Sequence, residues 1–232
     1  MSANGNTVLL AGATGGTGRR TLECLSRTPY RVRALTRSAG NRERLRRRGA
    51  DEVVVGDLLD PNDAARVAEG VDAVIAWVGS TPWEALRGDE DDLVDGRGNA
   101  QLLDAAVAAG ASRFVMESSL GVGDDRGSWM ARLFRATIPT VLRAKDRAES
   151  AIRDSGVAYT ILRPGVLAGG SESDDVQVAE AGTGLWGAVS RADVARLLVA
   201  SLSTPRAENR ILEVVRNPLL RRRAEAVDWT RP

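Results

Sequence analysis

At 232 residues, 43% hydrophobic and 27% charged, the chain reads as globular, with length for one large α/β domain or two small ones. A formal net charge of +1 gives no global attraction to nucleic acid or anionic membrane. One cysteine and no histidine exclude an internal disulfide framework, a Ser-His or Cys-His catalytic pair and histidine metal ligation, so no metal is expected. No apolar run is long enough to span a bilayer, and "MSANGN" has no signal-peptide core, so a cytoplasmic protein is expected.

Strand and helix signals alternate from the start. "TVLLAG" is a short apolar run, followed by "ATGGTGRR" and a helix, "GRRTLECLSR". Gly12, Gly15 and Gly18 stand at G-x-x-G-x-x-G spacing between that strand and that helix. The first permits a tight turn, the second lets a pyrophosphate approach the backbone, and the third lets helix and sheet pack closely. The helix N-terminus adds free N–H groups and the positive end of its dipole. Gly12, Thr14, Gly15, Gly16, Thr17 and Gly18 are therefore dinucleotide-binding candidates. Cys24, in the helix, reads as packing rather than as a nucleophile.

The second strand, "YRVRALTR", ends where NAD sites place an acid on the adenosine ribose. Here the chain has Thr36, Arg37 and Ser38. Arginine there can pair bidentately with a 2′-phosphate, which predicts NADP (NADPH) as cofactor. After the third strand, "DEVVVGD", Asp57 and Leu58 are candidates for holding the adenine. After the fourth, "VDAVIAWVG", Ala76, Val78 and Gly79 are expected to leave room for the cofactor backbone. A helix over "DGRGNAQLLDAAVAAG", a strand over "SRFVMESS", a helix over "VLRAKDRAESAIRDSG" and a strand over "VAYTILRPG" follow. Ser190-x-x-Asp193 caps the helix "SRADVARLLVASL", and "RILEVV" is the last strand.

This alternation predicts an α/β fold: a Rossmann-like doubly wound parallel sheet, as a single domain over 1–232 with a small C-terminal substrate-side lobe. Segments 81–96, 122–140 and 166–189 are assigned to the substrate side. The basic runs 46–48 and 221–223 read as solvated faces, and the tail is expected to dock through Leu219, Leu220 and Trp229.

The stretches "GATGGTGR", "VVVGDLLD", "AQLLDAAVAAGASRFVMESSLGVG", "LRAKDRAES", "SGVAYTILRPGVL" and "SRADVARLLVASL" resemble, in order, the atypical short-chain dehydrogenase/reductases of the NmrA-like, NAD(P)H-binding type. The resemblance spans roughly residues 7 to 215. It implies a cofactor lying across the C-terminal strand ends, with Ser118 among its contacts and Pro164 beside the nicotinamide. Members that reduce carbonyls carry Y-x-x-x-K and a serine after the fifth strand. Lys145, the one lysine among 32 basic residues, falls on the family lysine, which binds ribose hydroxyls. Val141 falls on the proton-donating tyrosine, and valine transfers no proton. Ser118, Ser119 and Leu120 compete for the serine position, and Ser119 is taken as the catalytic candidate. Lys145 has a second reading, a helix-surface pair with Glu149 at i, i+4.

Glu117, ending the fifth strand, is a candidate acid, because an apolar site raises a carboxyl pKa. It also reads as a group that orients a loop or pairs with an arginine, and that reading is the preferred one. Trp77, Trp83, Trp129, Phe134 and Trp186 lie at or beyond strand ends. Of these, Trp83, Trp129, Phe134 and Trp186 are assigned to a pocket for a flat, apolar substrate. Three functions follow: an NADPH-dependent reductase of a quinone, enone or flavin-like molecule; an NADP-binding regulatory or assembly protein without turnover; and a cofactor-bound epimerase, dehydratase or cyclase. The expected partner is a small-molecule substrate, with neither nucleic acid nor membrane, and both monomer and homodimer are allowed.

Overall fold

The computed structural model describes residues 6–77, 94–123, 128–217 and 219. In chain order the elements are β1 (Thr7–Ala11), α1 (Gly16–Leu25), β2 (Arg31–Thr36), α2 (Arg42–Arg47), β3 (Glu52–Val55), α3 (Pro61–Ala68) and β4 (Ala73–Ala76). Then come α4 (Asn99–Ala108), β5 (Arg113–Glu117), α5 (Trp129–Thr137), α6 (Pro139–Asp154), β6 (Ala158–Pro164), β7 (Val166–Ala168), β8 (Gln177–Glu180), β9 (Ala188–Ser190), α7 (Arg191–Ala200) and β10 (Arg210–Val215).

The main sheet has the order β3-β2-β1-β4-β5-β6-β10-β8. All neighbours pair in parallel except β10 and β8. The chain steps outward from β1 to β3, then returns to β4 on the other side of β1. The strand order reverses there, which opens a crevice at the C-terminal ends of β1 and β4.

Both faces of the sheet are covered. Val8 and Leu10 of β1 share a core with Leu22 and Leu25 of α1 and Val194 and Leu198 of α7. Leu9 and Ala11 share the opposite core with Val67 of α3, Leu102 and Leu103 of α4 and Ile152 of α6. Burial on both sides is why these strands are continuously apolar rather than alternating. Cys24 is buried in the first of these cores, and burial pushes its thiol up to about 11, the state of a packing residue.

A smaller lobe, the one expected to face the substrate, sits at the β10–β8 edge. Leu120, Met130, Ala179, Leu185 and Val215 form a separate cluster, with Phe134 and Trp186 packed against it. β7 and β9 make a two-stranded parallel sheet of their own. Asp193, fully buried near the start of α7, holds this lobe in place. It accepts the Ser173 N–H at 2.7 Å and the Ser190 hydroxyl at 2.7 Å, and its own N–H donates to Ser190 Oγ at 2.9 Å.

Two sequence expectations need correction. The helix read from residue 95 starts as a π-helical turn, Val94–Gly98, and becomes α-helical only at Asn99. A Cβ on Gly96 would lie 3.3 Å from Ala144 O, so this turn is shaped by close packing on α6. In the tail, Leu219 is 81% exposed and does not dock; Leu220 and Trp229 lie outside the described residues.

Candidate dinucleotide site at the switch point of the sheet

The glycine loop joins β1 to α1 at the crevice. Gly12 has φ +87°, and the Gly15 N–H donates back to Gly12 O at 3.0 Å, closing the turn. A Cβ on Gly18 would stand 2.1 Å from Gly12 O, so only glycine lets α1 seat against the end of β1. Gly15 is the N-cap of α1 and supplies no side-chain cap, which leaves the first N–H groups of the helix for a ligand. Thr14 is half-buried in this loop. Thr17 is fully buried, and its hydroxyl turns inward to Glu117 Oε1, at 3.4 Å. Gly16 faces the Arg191 side chain: a Cβ there would lie 2.8 Å from Arg191 Nε.

The open side of the loop faces Trp77. A Cβ on Gly15 would fall 1.6 Å from Cζ3 of its indole, and one on Gly12 would fall 1.7 Å from its carbonyl oxygen. The loop geometry thus fits the close approach of a dinucleotide backbone, and the Trp77 ring lies over that approach.

The other adenosine-side candidates are spread around it. Arg37 is exposed just beyond β2. Asp57 is exposed and caps its own turn, Oδ1 accepting from Leu59 N–H at 3.1 Å. Leu58 is only 4% exposed and belongs to the sheet core. Ala76 is likewise fully buried in that core. Val78 and Gly79 lie outside the described residues, as does Trp83.

Glu117 ends β5 directly beneath the glycine loop. Its side chain is buried, and among the described residues Oε2 has no hydrogen-bond partner. Burial pushes its pKa up to about 7, against the Trp77 indole, the Lys145 charge, the Thr17 hydroxyl and the Arg191 charge, all of which favour the ionised form. The structure therefore brings Thr17, Trp77, Lys145 and Arg191 around one carboxyl group.

Lys145 is half-buried on α6, one turn before Glu149. The helix-surface pairing of these two must be revised, because Glu149 is fully buried. Arg163 of β6 grips it with two hydrogen bonds, Nε to Oε1 at 3.1 Å and Nη2 to Oε2 at 2.7 Å. The Ser118 hydroxyl donates to the same carboxylate at 2.5 Å. Ser118 is thus turned toward α6, and Leu120 is 1% exposed in the substrate-side cluster. Ser119 is half-buried, its hydroxyl donating to Leu120 O at 3.1 Å. Pro164 O accepts the Leu120 N–H at 3.0 Å, which ties the ends of β5 and β6 together.

Beyond Pro164 lies an aromatic pair. Val166 N–H donates to Gly187 O at 3.1 Å, and the neighbouring Trp186 ring packs at 5.8 Å, tilted 56°, against Trp129. Trp129, Leu133 and Val166 remain about half exposed, at 50%, 49% and 45%, while Phe134 is partly buried behind them. The strand-end tryptophans therefore divide: Trp129 and Trp186 belong to the smaller lobe, and Trp77 to the glycine loop.

Sequence reading missed two site residues. In sequence Trp77 looks like the other strand-end tryptophans; its place directly after the fourth apolar run is the one signal that sets it apart. Arg191 was hidden behind the Ser190–Asp193 cap, and nothing local indicates that α7 packs along α1.

Two outcomes follow. Glu149→Ala leaves Arg163 charged and buried without its carboxylate, so urea denaturation should show a loss of about 3–5 kcal/mol. Replacing both residues by methionine should recover most of that loss. For Glu117, the unfolded chain releases the proton near its ordinary value of 4.5 and the folded chain only at about 7. Folded-state stability therefore falls as pH rises through this window and is level above it. Denaturation midpoints of wild type relative to Glu117→Gln should fall across the window; a constant difference would refute the buried-acid assignment.

Comparison with known proteins agrees with this geometry. The chain is 33% identical over 208 residues to the uncharacterized sugar epimerase YhfK of Bacillus subtilis, covering 89% of this chain and 92% of that one. It is 29% identical over 254 residues to sanguinarine reductase of Eschscholzia californica, covering 91% and 89%. Among solved structures, the anaerobillin reductase ChuY of Escherichia coli O157:H7 superposes with a TM-score of 0.77 at 27% identity, over 92% of this chain and 98% of that one. The NAD(P)H-binding family model matches residues 12–205, a span that holds the glycine loop, Glu117, Lys145 and Arg191, and the chain belongs to that family.

Proposed function

We propose that the protein is an NADPH-dependent oxidoreductase acting on a small, largely apolar or aromatic molecule. The observation that carries this reading is the buried carboxyl of Glu117 beneath the glycine loop, against Thr17, with the Lys145 charge beside it. The nicotinamide cofactor supplies a hydride. The first N–H groups of α1 and the Arg191 guanidinium bind its pyrophosphate, and Arg37 pairs with the 2′-phosphate. Lys145 holds the nicotinamide-ribose hydroxyls: a compact three-donor charge suits a narrow pocket better than a planar guanidinium. Val141 transfers no proton, so the proton that balances hydride transfer comes from Glu117 or water. A pKa of about 7 leaves Glu117 roughly half protonated near neutrality, the state an acid needs. Trp129, half exposed, and the partly buried Trp186 tilted against it supply an apolar surface for the acceptor.

Val141 also favours a second reading, a bound cofactor serving an epimerase, dehydratase or cyclase, as the name of the Bacillus relative suggests for that protein. Titration with NADPH and NADH, then nicotinamide absorbance against quinones, enones and flavins, separates the two. Oxidation of NADPH by one acceptor class supports the reductase; tight binding without oxidation by any acceptor rejects it and favours the second reading. Arg37→Ala should weaken NADPH binding by about tenfold to a hundredfold and leave NADH unchanged, the size of a charge-assisted hydrogen bond. Equal discrimination in the variant would refute the 2′-phosphate assignment.

A further inference from the structure

Trp77 stands in the one place that a bound dinucleotide must use. Cζ3 and Cη2 of its indole lie 1.6 and 2.3 Å from where a Cβ on Gly15 would be. The second glycine of such a loop lacks a Cβ so that pyrophosphate can come close to the backbone. Two groups cannot fill that space at once, so the ring and the phosphates exclude one another. The backbone of Trp77 is fixed: its N–H donates to Ala11 O at 3.0 Å, prolonging the β1–β4 pairing. Its carbonyl sits against Gly12, where a Cβ would be 1.7 Å away. Any clearance of the cradle therefore comes from rotation of the side chain.

A second observation lies beneath the ring. The Glu117 carboxyl is 2% exposed, and among the described residues its Oε2 has no hydrogen-bond partner. A buried polar atom without a partner is costly, and such atoms occur where a ligand or a moving group completes the site. The indole both rests on the glycine backbone and hydrogen-bonds this carboxyl group, which favours its charged form, so rotation of the ring exchanges that bond for the phosphates' contacts with the cradle.

We propose that Trp77 is a built-in plug of the cofactor cradle, whose indole occupies the pyrophosphate position at Gly15 and rotates out when a dinucleotide binds, uncovering Glu117. The proposal rests on the dinucleotide-binding reading above. The plugged state shields Glu117 from water when no cofactor is present. In the cleared state, the phosphates take up the N–H groups of α1 and the Arg191 charge in place of the ring.

Binding to a plugged cradle is weakened by the fraction of molecules in which the ring is already out. If that fraction is about a tenth, Trp77→Ala should bind NADPH about tenfold more tightly than wild type. The chain has five tryptophans, so the full-length protein labelled with 5-fluorotryptophan gives a small set of fluorine resonances, and Trp77→Phe identifies that of Trp77 by its loss. The plug predicts that NADPH shifts the Trp77 resonance strongly. A Trp77→Leu variant repeats the affinity test with a smaller cavity, in case the alanine variant folds poorly. Unchanged or weaker NADPH binding in both small-side-chain variants, with a Trp77 resonance that does not move on saturation, would overturn the plug and leave the dinucleotide reading intact. Binding by the variants but not by wild type supports the plug in its strongest form. No binding by any of the proteins overturns both.

Discussion

The buried ion pair between Glu149 and Arg163 sets the geometry on which the site depends. It joins the middle of α6 to the end of β6, and through Ser118 it reaches the end of β5. Lys145 lies one turn before Glu149, so fixing Glu149 fixes the lysine relative to the strand ends. A charge pair taken wholly out of water gains little net stability, because desolvation opposes the attraction. Its contribution here is positional, since it ties α6 to β6 and, through Ser118, to β5.

The crevice that this arrangement borders comes from the sheet itself. The strand order reverses between β1 and β4, and the helices leaving those strands go to opposite faces. The backbone N–H groups of α1 therefore point toward the crevice at the C-terminal strand ends. Around it stand groups of three kinds: open helix N–H donors, the cations Lys145 and Arg191, and the buried acid Glu117. Donors and cations suit phosphate and ribose, and the acid suits proton transfer. The low-dielectric surroundings that raise the pKa of Glu117 also strengthen the pull of both cations on it.

The substrate-side lobe is a smaller and differently built unit. Its core is the small Leu120–Val215 cluster, tied to the main sheet by the β10–β8 pairing and by Asp193. Its exposed face carries Trp129, Leu133 and Val166. The glycine loop thus sits on the doubly covered sheet, while the exposed apolar surface sits on the lighter lobe.

Much of this was legible in the amino-acid order. Apolar runs without alternation marked doubly covered strands, glycine spacing marked the turn at β1, and the lone lysine drew attention to α6. These signals are local: each reflects what a short segment can do by itself. The sequence determined the Rossmann-like sheet, the glycine loop and the family. Only the tertiary structure decided that Glu149 faces inward to Arg163, that Thr17 and Trp77 face Glu117, that Leu58 and Ala76 belong to the core, and that Arg191 meets Gly16. Those placements depend on which helix packs on which strand across long stretches of chain, and side-chain direction at such contacts is set by burial and partner geometry rather than by neighbours in sequence.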